Sequence, residues 1–152
     1  MKLILNDTSH DFLNQKNDFE LVDVRNLDVK PCYGCGSCSY TGCCIINDEM
    51  QNLLYKIAKC QKLIFVMEPY LGSYSIQCKR ILDRIAVLGN SLYIVEKGEL
   101  RKRGFRTKMK DIKFIITSDI TNEEYQMFEK LAKELSLILG IPVYLERIKL
   151  YA

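Results

Sequence analysis

The chain has 152 residues, of which 48% are hydrophobic and 27% charged, and this balance is typical of a globular protein. We expect one domain spanning residues 1–152, large enough to fold without disulfides or a structural metal. The net charge of +3 is too small to indicate nucleic acid as a partner, and no apolar run approaches the roughly 20 residues of a membrane span. With no secretory signal expected, we predict a cytoplasmic protein that has neither nucleic acid nor a membrane as partner.

Strand-like and helix-like segments alternate along the chain, which predicts an α/β fold with helices packed on a sheet. One segment, Lys62–Glu68, is a continuous apolar run, as expected for a central parallel strand covered on both faces. The predicted strands are Lys2–Asn6, Glu20–Val24, Lys62–Glu68, Ile112–Thr117 and Pro142–Glu146.

Three helices are predicted between these strands. The first begins near Asp48, the second follows Ser73, and the third runs from a capping box of Thr121 and Glu124 to about Leu139. The residues predicted to be buried are Met50, Leu53, Leu54, Ile57 and Ala58 in the first helix and Ile76, Ile81, Leu82 and Ile85 in the second.

The connection between the first two predicted strands, Asp7–Phe19, is short for a doubly wound sheet. A βαβ crossover normally needs at least about 10–12 residues including its helix. This connection has room for a loop and about two turns of helix. We therefore predict that the first crossover helix is shortened or absent.

Five of the seven cysteines lie close together in the sequence, and four of them have the spacing C-x2-C-x2-C-x5-C. Clustered thiols in a reducing compartment indicate metal binding or catalysis, and iron–sulfur clusters need several thiolates at one centre. Zinc and free thiols are the alternatives, although zinc sites usually have a second ligand pair. Cys43 is an alternative fourth ligand, whereas Cys60 and Cys78 are predicted to be small buried hydrophobic residues. The four candidate metal ligands are Cys32, Cys35, Cys38 and Cys44.

Two segments, Pro31–Met50 and Pro69–Arg84, resemble the cysteine loop and the flavin loop of the NADPH-dependent FMN reductase and iron–sulfur flavoprotein family. They occur in the family's order, with a helix and a strand between them. The resemblance implies a flavodoxin-like three-layer sandwich with parallel sheet order 2-1-3-4-5, which binds FMN outside the carboxyl ends of the strands. It also implies a [4Fe–4S] cluster with Cys44 as fourth ligand, because the family rarely has cysteine at the position of Cys43.

The resemblance further implies which residues hold FMN. The isoalloxazine ring would be lined by Pro69, Tyr70, Leu71, Gly72, Ser73 and Tyr74. Gly72 permits close backbone approach, Tyr70 and Tyr74 offer aromatic faces, and Ser73 is expected to cap the following helix.

The phosphate end departs from the family's pattern. Thr8 and Ser9 can donate hydrogen bonds to the FMN phosphate, but the segment Asn6–His10 has no glycine, and the Asp7 carboxylate repels a phosphate.

The stretch Lys97–Lys110 holds seven basic residues and one acidic residue. One interpretation is a solvated surface loop between strands. The other is an anion site for the NADPH 2′-phosphate, an acidic partner protein or the FMN phosphate. Phe105 among the arginines is only weak support for nucleic acid.

The first function hypothesis is a flavin-dependent oxidoreductase. It would pass electrons from a nicotinamide or ferredoxin-like donor through FMN, with a [4Fe–4S] cluster in the cysteine loop and a homo-oligomeric assembly. No catalytic residue is assigned. The alternative is a non-catalytic paralogue that holds FMN weakly or not at all and serves as a redox sensor or partner subunit. A zinc-stabilised module that binds nucleic acid ranks last.

Overall fold

A computed structural model describes residues 1–9, 19–117 and 119–148 of the chain. In chain order the elements are β1 (Lys2–Asp7), β2 (Phe19–Asp23), α1 (Ser37–Thr41), α2 (Met50–Lys59), β3 (Lys62–Met67), α3 (Ile76–Ile85), β4 (Tyr93–Glu96), β5 (Glu99–Lys102), β6 (Asp111–Ile116), α4 (Asn122–Leu139) and β7 (Val143–Arg147). The predicted shortening of the first crossover falls mainly on residues 10–18, which lie outside the described residues.

The central sheet has the order β2-β1-β3-β6-β7, and every neighbouring pair is parallel. Numbered within this sheet alone, the order is 2-1-3-4-5, so the predicted flavodoxin-like α/β fold is confirmed. The five predicted strands match the observed ones to within one or two residues. Successive strands are added on one side of β1 up to β2 and on the other side from β3 onwards. The boundary between β1 and β3 is therefore the topological switch point, where open α/β sheets bind ligands.

The core lies between the central strands and the apolar faces of the helices. Strand β1 buries Leu3 and Leu5, and the rings of Phe65 on β3 and Phe114 on β6 stack with centroids 5.2 Å apart. The residues that α2 buries are Met50, Leu53, Leu54 and Ile57. Strands and helices share this one core, and the extent of the domain over residues 1–152 remains a prediction.

Two predictions for α3 were wrong. Its N-cap is Ser75, whose side chain accepts a hydrogen bond from the Cys78 backbone N–H, whereas Ser73 lies two residues earlier in a tight turn. Ile76 is 56% exposed because helical spacing places it beside Arg80 and Asp83, away from the core. The buried residues of α3 are Gln77, Cys78, Ile81, Arg84 and Ile85.

The interpretation of the basic stretch as a surface loop between strands is wrong for residues 99–102, which form a strand. Strands β4 and β5 form an antiparallel hairpin joined by Lys97 and Gly98, with φ angles of 54° and 83°. Lys102 is buried, and its ammonium group donates to the Asn90 carbonyl at 3.2 Å and lies 4.8 Å from the centre of the Tyr93 ring. The Lys-Gly pair between two strand-like runs was the available sequence signal for this hairpin.

Among the described residues, no helix is both long enough and apolar enough to cross a bilayer.

Candidate functional site

A tight turn follows β3 at the carboxyl edge of the sheet. The backbone N–H groups of Tyr70 and Ser73 each donate to the other residue's carbonyl at 3.0 Å. The two residues between them, Leu71 and Gly72, have φ angles of 50° and 68°, the pattern of a type I′ turn. Leu71 is 88% exposed and Tyr70 56% exposed, so the turn presents an apolar and an aromatic side chain at the switch point. A leucine with positive φ is strained, and such strain is frequent at functional sites.

Tyr74 differs from Tyr70 in its surroundings. Its ring lies 5.1 Å from the ring of Phe114 and 5.8 Å from that of Phe128. Burial raises the pKa of Tyr74 to about 12. Of the two tyrosines predicted to face the flavin, the structure places Tyr70 on the surface and packs Tyr74 against the core. Pro69 and Ser73 are half-buried beside the turn.

The residues after β1 form a small hydrogen-bonded turn. The Thr8 hydroxyl donates to Asn6 Oδ1 at 2.8 Å, and the Thr8 backbone N–H donates to the same oxygen at 3.2 Å. Thr8 is buried, and the neighbouring Ser9 is exposed. The Thr8 hydroxyl, which was predicted to donate to the FMN phosphate, therefore donates to Asn6 in this structure.

Three carboxylates gather at this same edge. Asp7 ends β1, Asp23 ends β2, and Glu68 directly follows β3, so the parallel register brings them to neighbouring positions. Burial is the main cause that raises the pKa of Asp7, and the charges of Asp23 and Glu68 raise it further. A hydrogen bond from the Ser75 side chain and the charge of Arg25 oppose this rise. Of this group, only Asp7 was noted from the sequence, because the others come together through the sheet register.

The cysteine loop lies between β2 and α2 in the chain and contains the short helix α1. Cys32, Cys35 and Cys43 are exposed, while Cys38 and Cys44 are half-buried against the core. The Ser37 backbone N–H and side chain donate to the Cys35 thiol and lower its pKa. Within residues 1–9, 19–117 and 119–148, no three His, Cys, Asp or Glu side chains converge on a point that could hold a metal ion.

A buried ion pair clamps the two ends of this loop. Arg84 and Asp48 pair with their side chains fully buried. Arg84 also donates to the Lys30 carbonyl at 3.3 Å, the Ile46 carbonyl at 3.2 Å and the Cys44 sulfur at 3.6 Å. Asp48 accepts a hydrogen bond from the Lys30 backbone N–H at 2.9 Å. Both loop ends are thus joined to one guanidinium.

The two charges of this ion pair stabilise each other's ionised form. Burial by itself raises the pKa of Asp48, but hydrogen bonds from Arg84 and Lys30 outweigh it and leave the pKa lowered. The sequence analysis does not identify Arg84 as a buried residue, although its spacing three residues after Ile81 places it on the buried face of α3. A charged residue at such a position indicates a buried partner.

The basic stretch reaches the cysteine loop through Arg106. Its guanidinium donates to the Val87 carbonyl at 3.0 Å and to the Gly42 carbonyl at 3.5 Å. An open cavity of about 180 Å³ lies beside this guanidinium. It is lined by Cys38, Ser39, Tyr40, Thr41, Gly42, Asn90, Ser91 and Arg106. Arg106 of the basic stretch therefore lines the same cavity as Cys38.

Cys60 and Cys78 are fully buried, which confirms their prediction as small hydrophobic residues. Burial raises the pKa of Cys60 to about 11 and that of Cys78 to about 12. Neither is a reactive thiolate at neutral pH.

Comparison with known proteins gives a family match and partial curated relatives. Residues 4–109 match the family model described as NADPH-dependent FMN reductase. An iron-sulfur flavoprotein of Methanosarcina thermophila is 32% identical over 69 residues, which are 45% of this chain and 36% of that protein. A second iron-sulfur flavoprotein, from Methanocaldococcus jannaschii, is 31% identical over 65 residues, 43% of this chain and 34% of that protein. The matched part thus spans about a third of the length of these curated relatives.

Two solved structures share the fold. Smu.1420 from Streptococcus mutans UA159 superposes with a TM-score of 0.60 at 16% identity, covering 98% of this chain and 87% of that one. The apo form of the NADH:FMN oxidoreductase EMOB superposes with a TM-score of 0.54 at 11% identity, covering 97% of this chain and 73% of that one. At these identities the two structures support the fold alone.

Proposed function

This chain belongs to the NADPH-dependent FMN reductase family, and from that premise we propose that it is an oxidoreductase that binds FMN at the carboxyl edge of its sheet. The observation that carries the proposal is the strained turn after β3. It projects Tyr70 and Leu71 at the switch point, where ligands of open α/β sheets bind. An aromatic and an apolar side chain suit the flat, largely apolar isoalloxazine ring.

The residues present fit the ring end of FMN better than its phosphate end. At the ring end, Tyr70 and Leu71 supply contact area, and the backbone at Gly72 has no side chain to keep a ring away. At the phosphate end, the described residues include Asp7, whose carboxylate does not fit a phosphate. FMN, when bound, accepts a hydride and releases electrons singly. The proposed electron donor is a reduced nicotinamide nucleotide or a ferredoxin-like protein, and the proposed assembly is a homo-oligomer.

Flavin titration tests the ring site directly. Purified protein freed of flavin is titrated with FMN by fluorescence quenching, and oxidation of NADH and NADPH is then followed. Because the Tyr70 ring would contact the flavin, Tyr70→Ala should weaken FMN binding by up to about tenfold. Tyr93→Ala removes an equally exposed tyrosine from the β4–β5 hairpin and should leave FMN affinity unchanged. Equal affinities in all three proteins, or no binding at all, would contradict the proposal.

The cysteine loop is the proposed site of a [4Fe–4S] cluster on Cys32, Cys35, Cys38 and Cys44. The two curated relatives named iron-sulfur flavoproteins support this, as does the thiol spacing. The donor chemistry is suitable, but the thiols of the described residues are not gathered around one centre. We therefore assign no reaction step to a cluster.

Anaerobic reconstitution with iron and sulfide tests the cluster. Iron and acid-labile sulfide should be retained by the wild type and by Cys43→Ser, and lost from Cys35→Ser and Cys44→Ser. Iron retention by Cys35→Ser at the wild-type level would show that the ligand assignment is wrong. If Cys43→Ser loses iron while Cys44→Ser retains it, Cys43 and not Cys44 is the fourth ligand.

The second candidate is a non-catalytic paralogue that acts as a redox sensor or partner subunit. The observation that favours it is the dispersed placement of the described thiols. A purified protein that takes up neither flavin nor iron after reconstitution would support this candidate and exclude the enzyme.

A further inference from the structure

We propose that the open cavity beside the cysteine loop is a binding site for the phosphate group of a small molecule, with Arg106 as the main contact. The cavity has a volume of about 180 Å³, and its described lining includes none of the residues proposed to contact FMN. The inference therefore goes beyond the proposed function and does not require that flavin binds.

A short antiparallel pairing of two chain segments brings Arg106 to this cavity. The Arg106 backbone N–H donates to the Leu88 carbonyl, and the Asn90 backbone N–H donates to the Gly104 carbonyl, both at 2.7 Å. Asn90 and Arg106 both line the cavity. Backbone hydrogen bonds therefore hold these two residues close together at its wall.

The Arg106 guanidinium is oriented by two neutral carbonyl groups, which do not neutralise its charge. Its Nη2 donates to the Val87 carbonyl at 3.0 Å and to the Gly42 carbonyl at 3.5 Å. Gly42 permits this approach, because a Cβ atom there would lie only 2.9 Å from Arg106 Nη1. The N–H groups on Nε and Nη1 have no hydrogen-bond partner among the residues that the structure describes.

A second positive charge, that of Lys102, lies next to Asn90. Lys102 is 8% exposed, and its methylene chain passes so close to Gly89 that a Cβ atom there would lie 2.3 Å from Lys102 Cδ. Its ammonium group donates to the Asn90 carbonyl at 3.2 Å and forms no ion pair with a carboxylate of the described residues. A buried charge without a counter-ion is costly, and an anion bound beside Asn90 would reduce that cost.

The wall of the cavity supplies donors and no negative charge. Its described lining includes the hydroxyl groups of Ser39, Tyr40 and Ser91, and it includes no Asp or Glu. The planar fork of an arginine fits two oxygens of a phosphate, and hydroxyl groups suit the remaining oxygen. A carboxylate has fewer oxygens and would leave more of these donors unused. The donor set therefore favours a phosphate.

Titration of the purified protein with inorganic phosphate, followed by calorimetry at low ionic strength, tests the inference. The wild type should bind phosphate. Arg106→Gln should weaken binding by about tenfold or more, because charge-assisted hydrogen bonds are lost. Arg103→Gln removes the same charge from an exposed residue of the same stretch that does not line the cavity, and it should leave the affinity unchanged.

Lys102→Met gives an independent second test, because it removes the buried charge and keeps a side chain of similar length. Phosphate binding should weaken by about threefold, less than in Arg106→Gln, since Lys102 acts through its charge alone. No binding by the wild type overturns the inference, as does equal affinity of Arg106→Gln and Arg103→Gln. If Arg106→Gln does not fold, an unchanged affinity of Lys102→Met overturns it.

Competition identifies the source of the phosphate. Displacement of inorganic phosphate by NADP+ but not by NAD+ would identify a nucleotide 2′-phosphate, and displacement by neither would identify free phosphate or another ester. Both outcomes support the site. FMN titration is a separate measurement, so phosphate binding by a protein that takes up no flavin leaves this inference intact and overturns only the proposed function.

Discussion

The base of the cysteine loop and the carboxyl edge of the sheet both contain carboxylates shielded from water, but they treat the charge in opposite ways. Asp48 is surrounded by donors from Arg84 and Lys30, and its pKa is lowered. Asp7 has carboxylates as neighbours, and its pKa is raised, chiefly by burial. The first arrangement stabilises the fold. The second arrangement destabilises the folded state. Groups whose pKa is shifted in this way occur more often at functional sites.

Breaking the buried ion pair of Arg84 and Asp48 should have the largest effect on the free energy of unfolding. Arg84→Met leaves the Asp48 carboxylate buried without its cation, so we expect the free energy of unfolding to fall by about 3–5 kcal/mol. Urea denaturation measures the change. Arg80→Met removes the same charge from the same helix, at a position with no ion pair among the described residues, and should change stability by less than about 0.5 kcal/mol. Equal stabilities of the two variants would show that the clamp contributes nothing.

A smaller effect is expected at the strained turn of the carboxyl edge. Asparagine tolerates positive φ better than leucine, so Leu71→Asn should raise the free energy of unfolding by about 1 kcal/mol. The same change should weaken FMN binding, because the exposed apolar contact is lost. Thermal unfolding and flavin titration report the two effects separately.

The β4–β5 hairpin supplies the matched control for that prediction. Lys97 holds the equivalent position of a second turn, with φ of 54°. Lys97→Asn should therefore stabilise the protein similarly and leave FMN affinity unaltered. A loss of FMN affinity in both variants would contradict a specific role for Leu71.

The smallest predicted effect is the pH dependence of stability that comes from Asp7. Because the pKa of Asp7 is raised above 3.8, the protonated group favours the folded state; this contribution is present below 3.8 and is lost as pH rises through the folded pKa. Asp7→Asn should therefore be more stable than wild type at pH 7, by at most about 1 kcal/mol after solvent screening, and the gap should close towards pH 3.8.

Asp48 should show the opposite sign. Its lowered pKa gives stability that is present above 3.8 and is lost as pH falls through the folded pKa. Asp48→Asn should be less stable than wild type at pH 7, with a gap that closes in acid. Chemical denaturation at several pH values measures both gaps, and the same sign for both variants would remove the contrast between the two regions.

The sequence predicted those features that depend on local pattern. Periodicity placed the five strands, and the segment Pro69–Tyr74 was located at the end of the correct strand. The cap of α3 was assigned to Ser73 instead of Ser75 because residues 70–73 close a hydrogen-bonded turn that spacing alone does not reveal.

Features that depend on distant residues were not predictable in this way. Arg84 and Asp48 are separated by 36 positions, and only the packing of α3 against the loop brings them together. The gathering of Asp7, Asp23 and Glu68 depends likewise on which strands are neighbours. The spacing of the cysteines identifies their chemistry, but the direction of each thiol depends on the tertiary structure of the loop.

The ion pair of Arg84 and Asp48 also restricts the ends of the cysteine loop. Since one guanidinium binds the backbone at Lys30 and at Ile46, the segment 31–45 is anchored at both ends to helix α3. Its sulfur atoms therefore lie on a stretch of backbone whose two ends are fixed by a single side chain.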